Sequence, residues 1–225
     1  MREHCSQPSV ILGSASPRRR ELLQLLGIDF DTRVAGIDER EDGDSSPLEL
    51  VCRLSRDKGM AVSAQVESRI VISSDTIVVL DGQVLGKPAD AEDARTMLRA
   101  LRDRDHQVIS AFTIIDQISG AELTDYVDTQ VTMRNYTEEE IGAYIETGDP
   151  MDKAGAYAIQ HPGFHPVSWI HGCYASVMGF PLCHLFRHLS HHNRIEMRHP
   201  VAPCEEFTGY HCTFYQQALS GAGGE

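Results

Sequence analysis

Hydrophobic and polar positions along this chain switch between the period of a strand and the period of a helix. Val10 to Leu12 is a short apolar run stopped by Gly13, and Ser16-Pro17 then offers a cap and a proline at the first helical position. Leu22, Leu25 and Leu26 recur at helical spacing, and Gly27 stands where a left-handed C-terminal cap belongs. The prediction is strand, loop, helix. A second helix starts at Ser46-Pro47 and runs towards Met60, with Leu48, Val51 and Leu54 as its buried stripe and Lys58 continuing that stripe. Gly59 interrupts the otherwise helical run.

Ile70 to Leu80 is rich in β-branched residues, turns at Asp81-Gly82 and leads into Gln83 to Leu85, which predicts a hairpin. Asp90 caps a helix carrying Ala94, Met97, Leu98 and Leu101, followed by strands over Gln107 to Ile115 and Glu122 to Met133. Thr137 and Glu140 fit a capping box for a helix through Ile145. Gly155 to Gln160 and Val167 to Ile170 read as short strands, and Pro181 opens a helix bearing Leu182, Leu185, Phe186 and Leu189. Beyond Arg198 the pattern dissolves into a tail whose Phe207, Tyr210, Phe214 and Tyr215 could dock on the body or on a partner subunit, and residues 220–224 read as flexible.

A chain of 225 residues with 41% hydrophobic and 24% charged positions is predicted to fold as one globular α/β unit. The formal charge of -13 argues against general attraction to a nucleic-acid backbone or an anionic membrane, so any phosphate must meet a local cluster of cations. The first residues lack the apolar core of a secretory signal, and cytoplasmic residence is the expectation. The six cysteines are dispersed without a CxxC pair, and the reading gives them no chemistry. His184, His188 and His191 share one side of the last helix beside His192, as in a zinc site, but Leu185, Phe186 and Leu189 define the opposite, buried face and favour a solvated histidine face.

Three arginines, Arg18 to Arg20, occupy the first turn of a helix, where the macrodipole favours anions and disfavours cations. Exposed amides, the Ser14 and Ser16 hydroxyls and the guanidinium groups of Arg18 and Arg19 together suit a triphosphate, although a solvated basic helix end is the competing account. Asp75 lies inside an apolar strand, where an uncompensated charge would cost several kcal/mol. A metal ion, an arginine or a lysine must answer it, and a carboxylate held that way can bind magnesium or activate water. Lys58 and Lys87 could neutralise charge at a reacting phosphorus or simply keep their ammonium groups in water. Asp38-Glu39 offers a further carboxylate for a metal. No GxxxxGK[ST] pattern is present, which weakens a P-loop reading.

ILGSASPRRRELLQLLG, SSDTIVVLDGQVLGKP, DKAGAYAIQ and GCYASVMGFPL, in that order, resemble the Maf family of nucleotide pyrophosphatases from about Val10 to Leu189. The resemblance implies an elongated mixed β-sheet flanked by helices, with two lobes and a central cleft, similar to the inosine-triphosphate pyrophosphatases. It divides the chain into a single domain over 1–198 and a partly flexible C-terminal extension over 199–225. It makes Asp75 the catalytic acidic residue, with Lys58 and Lys87 acting beside it, and makes Glu39 a second metal-associated carboxylate. Ser14, Arg19, Lys58 and Lys87 match phosphate-handling positions, while Arg18, Thr76 and Gln160 match those linked to base choice and resemble the branch acting on dTTP and UTP. The implied activity is a housecleaning hydrolysis that splits a nucleoside triphosphate to a monophosphate and pyrophosphate. The implied cofactor is a divalent cation, magnesium or manganese, and the implied assembly is a homodimer. Two other functions suit the same residues: a non-catalytic nucleotide-binding regulator linked to cell division, and a phosphatase releasing the γ phosphate.

Overall fold

The computed structural model describes residues 10–34, 36–37, 45–67, 69–191 and 195–221. Its elements, in order, are β1 (Val10–Leu12), α1 (Pro17–Gln24), β2 (Phe30–Thr32), α2 (Pro47–Ser63), β3 (Ile70–Leu80), β4 (Gln83–Leu85), α3 (Ala91–Leu101), β5 (Asp105–Asp116), β6 (Ala121–Met133), α4 (Glu138–Glu146), β7 (Val167–His171), α5 (Tyr174–Val177), α6 (Leu182–Leu189), α7 (Val201–Thr208) and α8 (Tyr215–Ser220). The strands form one open sheet in the order β2-β1-β3-β5-β6-β7, with β4 also on β3. β1 runs parallel to β2 and β3, and the remaining pairs are antiparallel, so the sheet is mixed.

Strand β3 organises the molecule. β1 pairs with it at Ile70 to Ile72 and β4 at Val78 to Leu80, while β5 covers the opposite edge along nearly its whole length. On the β1/β4 edge, residues 73–77 therefore lie between two partners and pair with neither. Side chains alternate across a strand. Ile70, Ile72, Val78 and Leu80 enter the main core with α1, α3 and α6, whereas Val71, Ile77 and Val79 enter smaller clusters beneath α2. Asp75 shares the parity of the second set and Thr76 that of the first. Sequence parity thus sends the carboxylate towards α2 and the hydroxyl towards α1.

Local chemistry fixes the helices. Ser46 and Glu49 close a capping box on α2, and Thr137 and Glu140 do the same for α4, as their spacing predicts. Asp81 and Gly82 carry φ of 52° and 79°, the left-handed pair that a two-residue hairpin requires. Gly59 does not break α2, which continues to Ser63. A Cβ at Gly59 would stand 2.6 Å from Ser73 Oγ, so the glycine lets the helix press onto β3.

Three expectations are corrected. Gly155 to Gln160 is not a strand: Gly155 and Ala156 have φ of 67° and 59°, and this left-handed pair makes a turn against Val78. Residues beyond Arg198 form α7 and α8 rather than irregular tail, with Tyr210 stacked on Tyr174 and Phe214 on His184, so the aromatics dock on the body. The histidine face of α6 is solvated only in part: His191 is exposed, whereas the docked extension buries His184 and desolvation lowers its pKa to about 4. His188 meets Asp125 at 2.8 Å. Among the described residues, no group of three His, Cys, Asp or Glu side chains stands ready to hold a metal, and no helix is long and apolar enough to cross a membrane.

Candidate active site

A cleft of about 660 Å³ opens where β3 lacks an edge partner. Ser14, Arg18, Arg19, Lys58, Asp75, Thr76, Lys87 and Gln160 all line it. Residues from five separate stretches of chain, each picked out by its chemistry, therefore converge on one space. Glu39, the other expected metal-binding carboxylate, lies outside the described residues, as does its neighbour Asp38.

Arg19 reaches the gap from α1. Ser16 caps this helix by accepting from the Arg19 amide, and Pro17 pre-sets its first turn. The guanidinium then spreads over the broken edge of the sheet: Nη1 donates to Ser74 O at 2.6 Å and to Ser14 Oγ at 3.4 Å, Nε donates to Gly179 O at 3.0 Å, and Nη2 donates to Thr76 Oγ1 at 3.2 Å. A strand carbonyl that a neighbouring strand does not reach is thus satisfied by a side chain. The same Nη2 stands 3.9 Å from Asp75 Oδ1. A planar guanidinium fork can meet several acceptors at once, which fits it to this place.

Lys58 comes from the other side. It lies on the buried stripe of α2 with Leu50, Val51, Leu54, Ser55 and Val62, which carries its side chain to β3. Its Nζ donates to Asp75 Oδ1 at 2.8 Å. The pair is largely enclosed, with 18% and 13% of the two side chains exposed. The charge that the strand could not bury alone is answered by a lysine at hydrogen-bond distance and an arginine just beyond.

Arg18 faces the cleft as well, and its Nη1 lies 3.8 Å from Asp152 Oδ2. Asp152 belongs to a second ionic group in which the buried Lys153 ammonium donates to Asp149 Oδ1 at 2.9 Å and to Asp152 Oδ1 at 2.6 Å. Burial alone raises the pKa of both carboxyls. For Asp149 the hydrogen bonds from Tyr144 and Lys153 more than offset that, and for Asp152 Lys153 does the same, so both pKa values end below the ordinary range. Lys87 and Gln160 are exposed on the cleft wall. Among the described lining residues, five basic side chains face two carboxylates, so a strongly acidic protein keeps a cationic cleft.

Sequence reasoning missed Gly179 and Ser74. Gly179 has φ of 106°, and its carbonyl accepts from both Arg19 Nε and Ser74 Oγ. A Cβ there would press on Arg19 Nε and Thr76 Oγ1, each at 3.3 Å. Gly-Phe-Pro before a helix signals a tight turn but not the arginine it touches.

The Maf-like protein family matches residues 9–192. The dTTP/UTP pyrophosphatase of Pelotomaculum thermopropionicum is 43% identical over 176 residues, covering 78% of this chain and 92% of the relative. That of Desulfotalea psychrophila is 43% identical over 193 residues, covering 86% and 98%. That of Syntrophotalea carbinolica is 46% identical over 176 residues, covering 77% and 80%. With the motifs gathered round one cleft and the match spanning most of its length, the chain belongs to the Maf-like protein family.

Proposed function

We propose that this protein hydrolyses nucleoside triphosphates, dTTP and UTP first among them, to the monophosphate and pyrophosphate. The observation that carries the reading is the meeting of Asp75 with Lys58 and Arg19 inside one nucleotide-sized cleft. Relatives sharing more than two-fifths of their residues with this chain are dTTP/UTP pyrophosphatases, which supports the same choice of substrate.

The triphosphate enters along α1, where Ser14, Arg18 and Arg19 meet its oxygens. Thr76 and Gln160 face the space left for the base, and the Gln160 amide can offer one acceptor and one donor to the ring N-H and carbonyl of uracil or thymine. Asp75 orients a water for in-line attack on the α phosphorus and takes its proton. The P-O bond to the β phosphate breaks, and pyrophosphate leaves with the bonding electron pair. Lys58 and Lys87 balance the negative charge that builds on the phosphoryl oxygens as the bond breaks.

The residues fit a magnesium or manganese ion that arrives with the nucleotide. Both ion pairs to Asp75 among the described residues fall on Oδ1, and one carboxylate together with substrate phosphates is a common way for magnesium to bind. When bound, such an ion supplies Lewis-acid polarisation of the phosphate oxygens. The reading extends to cytoplasmic residence and a homodimer, for which Trp169, 54% exposed on edge strand β7, offers an apolar surface that a second copy could cover.

The test incubates the protein with UTP, dTTP, CTP and GTP plus magnesium or manganese and assays pyrophosphate and orthophosphate separately. Pyrophosphate from UTP and dTTP is the expected product. Orthophosphate without pyrophosphate would make the protein a γ-phosphatase, and binding without turnover would make it a non-catalytic nucleotide-binding regulator.

A further inference from the structure

Four cysteines that the sequence scatters are brought to one place by the fold. Cys173 immediately precedes α5, Cys183 lies in the first turn of α6, Cys204 belongs to α7, and Cys212 follows α7. All four line a single cavity of about 20 Å³, walled by apolar and aromatic groups including Leu182, Val201 and Tyr210. A void of this size holds about one water-sized sphere. The four therefore share one space and do not fall into two separate pairs.

Cys204 and Cys212 come from the C-terminal segment that carries α7 and α8, and these helices are lightly held. α7 has no buried residue and α8 buries only Ala218. Helices of 8 and 6 residues are marginal by themselves. The ring contacts of Tyr210 on Tyr174 and Phe214 on His184, with a hydrogen bond from Arg187 to Ala218 O, tie them to the body. Both helices also lie beyond the residues matched by the family, 9–192.

We infer that Cys173, Cys183, Cys204 and Cys212 form a tetrathiolate site for one zinc-class divalent ion, which clamps α7 and α8 onto α5 and α6. Four soft sulfur donors select zinc over the hard ions suited to the phosphate cleft, so this site is separate from any catalytic ion. Among the described residues no three potential ligands already stand in metal-holding geometry. Side-chain rotation must therefore draw the sulfurs in to about 2.3 Å from the ion. On binding, four S-H bonds release their protons to solvent and four metal-sulfur bonds form, with no change of oxidation state.

The experiment produces the full chain in zinc-supplemented medium, removes loose metal by dialysis, and measures zinc by elemental analysis beside the intact mass of the denatured chain. One zinc per chain, fully reduced cysteines, and the strong visible bands of tetrahedral cobalt thiolate after cobalt exchange are expected. Cys52→Ser should keep the ion, and Cys204→Ser combined with Cys212→Ser should lose it. Pyrophosphate release is assayed separately and does not decide the matter. The inference is overturned if the wild-type chain remains zinc-free with reduced thiols. It is equally overturned if the chain is lighter by four hydrogens, which would mark two disulfides in place of a metal site.

Discussion

The Lys58 ammonium donates to Asp75 Oδ1 at 2.8 Å, joining the buried stripe of α2 to the middle of β3, where the strand has no partner on its β1/β4 edge. This contact answers the charge of a carboxylate that the strand would otherwise bury, and it holds that carboxylate beside the Arg19 guanidinium. Asp75→Asn keeps the shape and removes the proposed base, so turnover should fall by about 10²–10⁴-fold with nucleotide binding retained. Pyrophosphate release and a binding titration on the same protein check this. Near-normal turnover would remove Asp75 from the mechanism.

Lys58→Met should act on stability as well as rate. It leaves Asp75 with Arg19 at 3.9 Å as its nearest remaining ion-pair partner among the described residues, and stability should drop by about 1–3 kcal/mol. Adding Asp75→Asn to that variant should recover part of the loss, because the unanswered charge is then gone. Urea unfolding of the two single variants and the double variant measures the coupling. Strict additivity would mean that the contact contributes nothing.

Arg19→Lys tests the planar fork. Lysine retains the positive charge but cannot meet Ser74 O, Gly179 O, Ser14 Oγ and Thr76 Oγ1 together. Loss of one or two charge-assisted bonds should raise KM for UTP by about 10–100-fold. Steady-state kinetics read the effect, and an unchanged circular dichroism spectrum should accompany it. If KM stays within twofold, charge alone is sufficient at this position.

Much of this site was legible because its residues contradict their surroundings. Asp75 in an apolar strand and three arginines in the first turn of a helix each demand a partner, and parity along β3 says on which face that partner lies. What could not be read depends on long-range closure. Gly179 acts through its carbonyl, which carries no side-chain signature. The Gly155 turn looks like a strand because Ala-Tyr-Ala-Ile has strand composition, while the left-handed φ of Gly155 and Ala156 is set by contact with Val78 and the bond from the Gly155 amide to Gly86 O. The cysteines look dispersed until two further helices fold back over α5 and α6.

Gly59→Ala separates helix propensity from packing. Alanine favours a helix interior over glycine by about 1 kcal/mol. Here its Cβ would meet Ser73 Oγ at 2.6 Å and Ile115 Cδ1 at 3.2 Å, and Ser73 Oγ is anchored to Ser55 O at 2.8 Å. The clash should win, with a net loss of about 1–3 kcal/mol. Ser73→Ala in the same background should restore part of it. A stabilised Gly59→Ala protein would show that α2 has room to move away from the sheet.

His106 gives the fold an acid sensitivity whose sign can be worked out. Its Nε2 lies 2.7 Å from the hydroxyl of Tyr157, a residue of the cleft wall, and its Nδ1 is buried without a hydrogen-bond partner among the described residues. Burial lowers its pKa to about 4, with the Asp105 carboxylate opposing that shift only weakly. The Tyr157 hydroxyl, its own pKa raised by burial, is no source of negative charge at neutral pH. In the unfolded chain the imidazole binds its proton near the ordinary value of about 6.5. The unfolded state therefore takes up protons first as pH falls, and the contribution of His106 to stability declines from about pH 6.5 until it levels off near pH 4. The shift corresponds to about 3 kcal/mol at most. His106→Gln keeps a polar partner for Tyr157 and cannot titrate, so its stability should fall less steeply with acid. Urea unfolding between about pH 7 and about pH 4.5 for the two proteins isolates this residue, because every other titrating group, His184 included, is common to both. Parallel curves would mean that His106 is already protonated in the folded protein or opens to solvent before it unfolds.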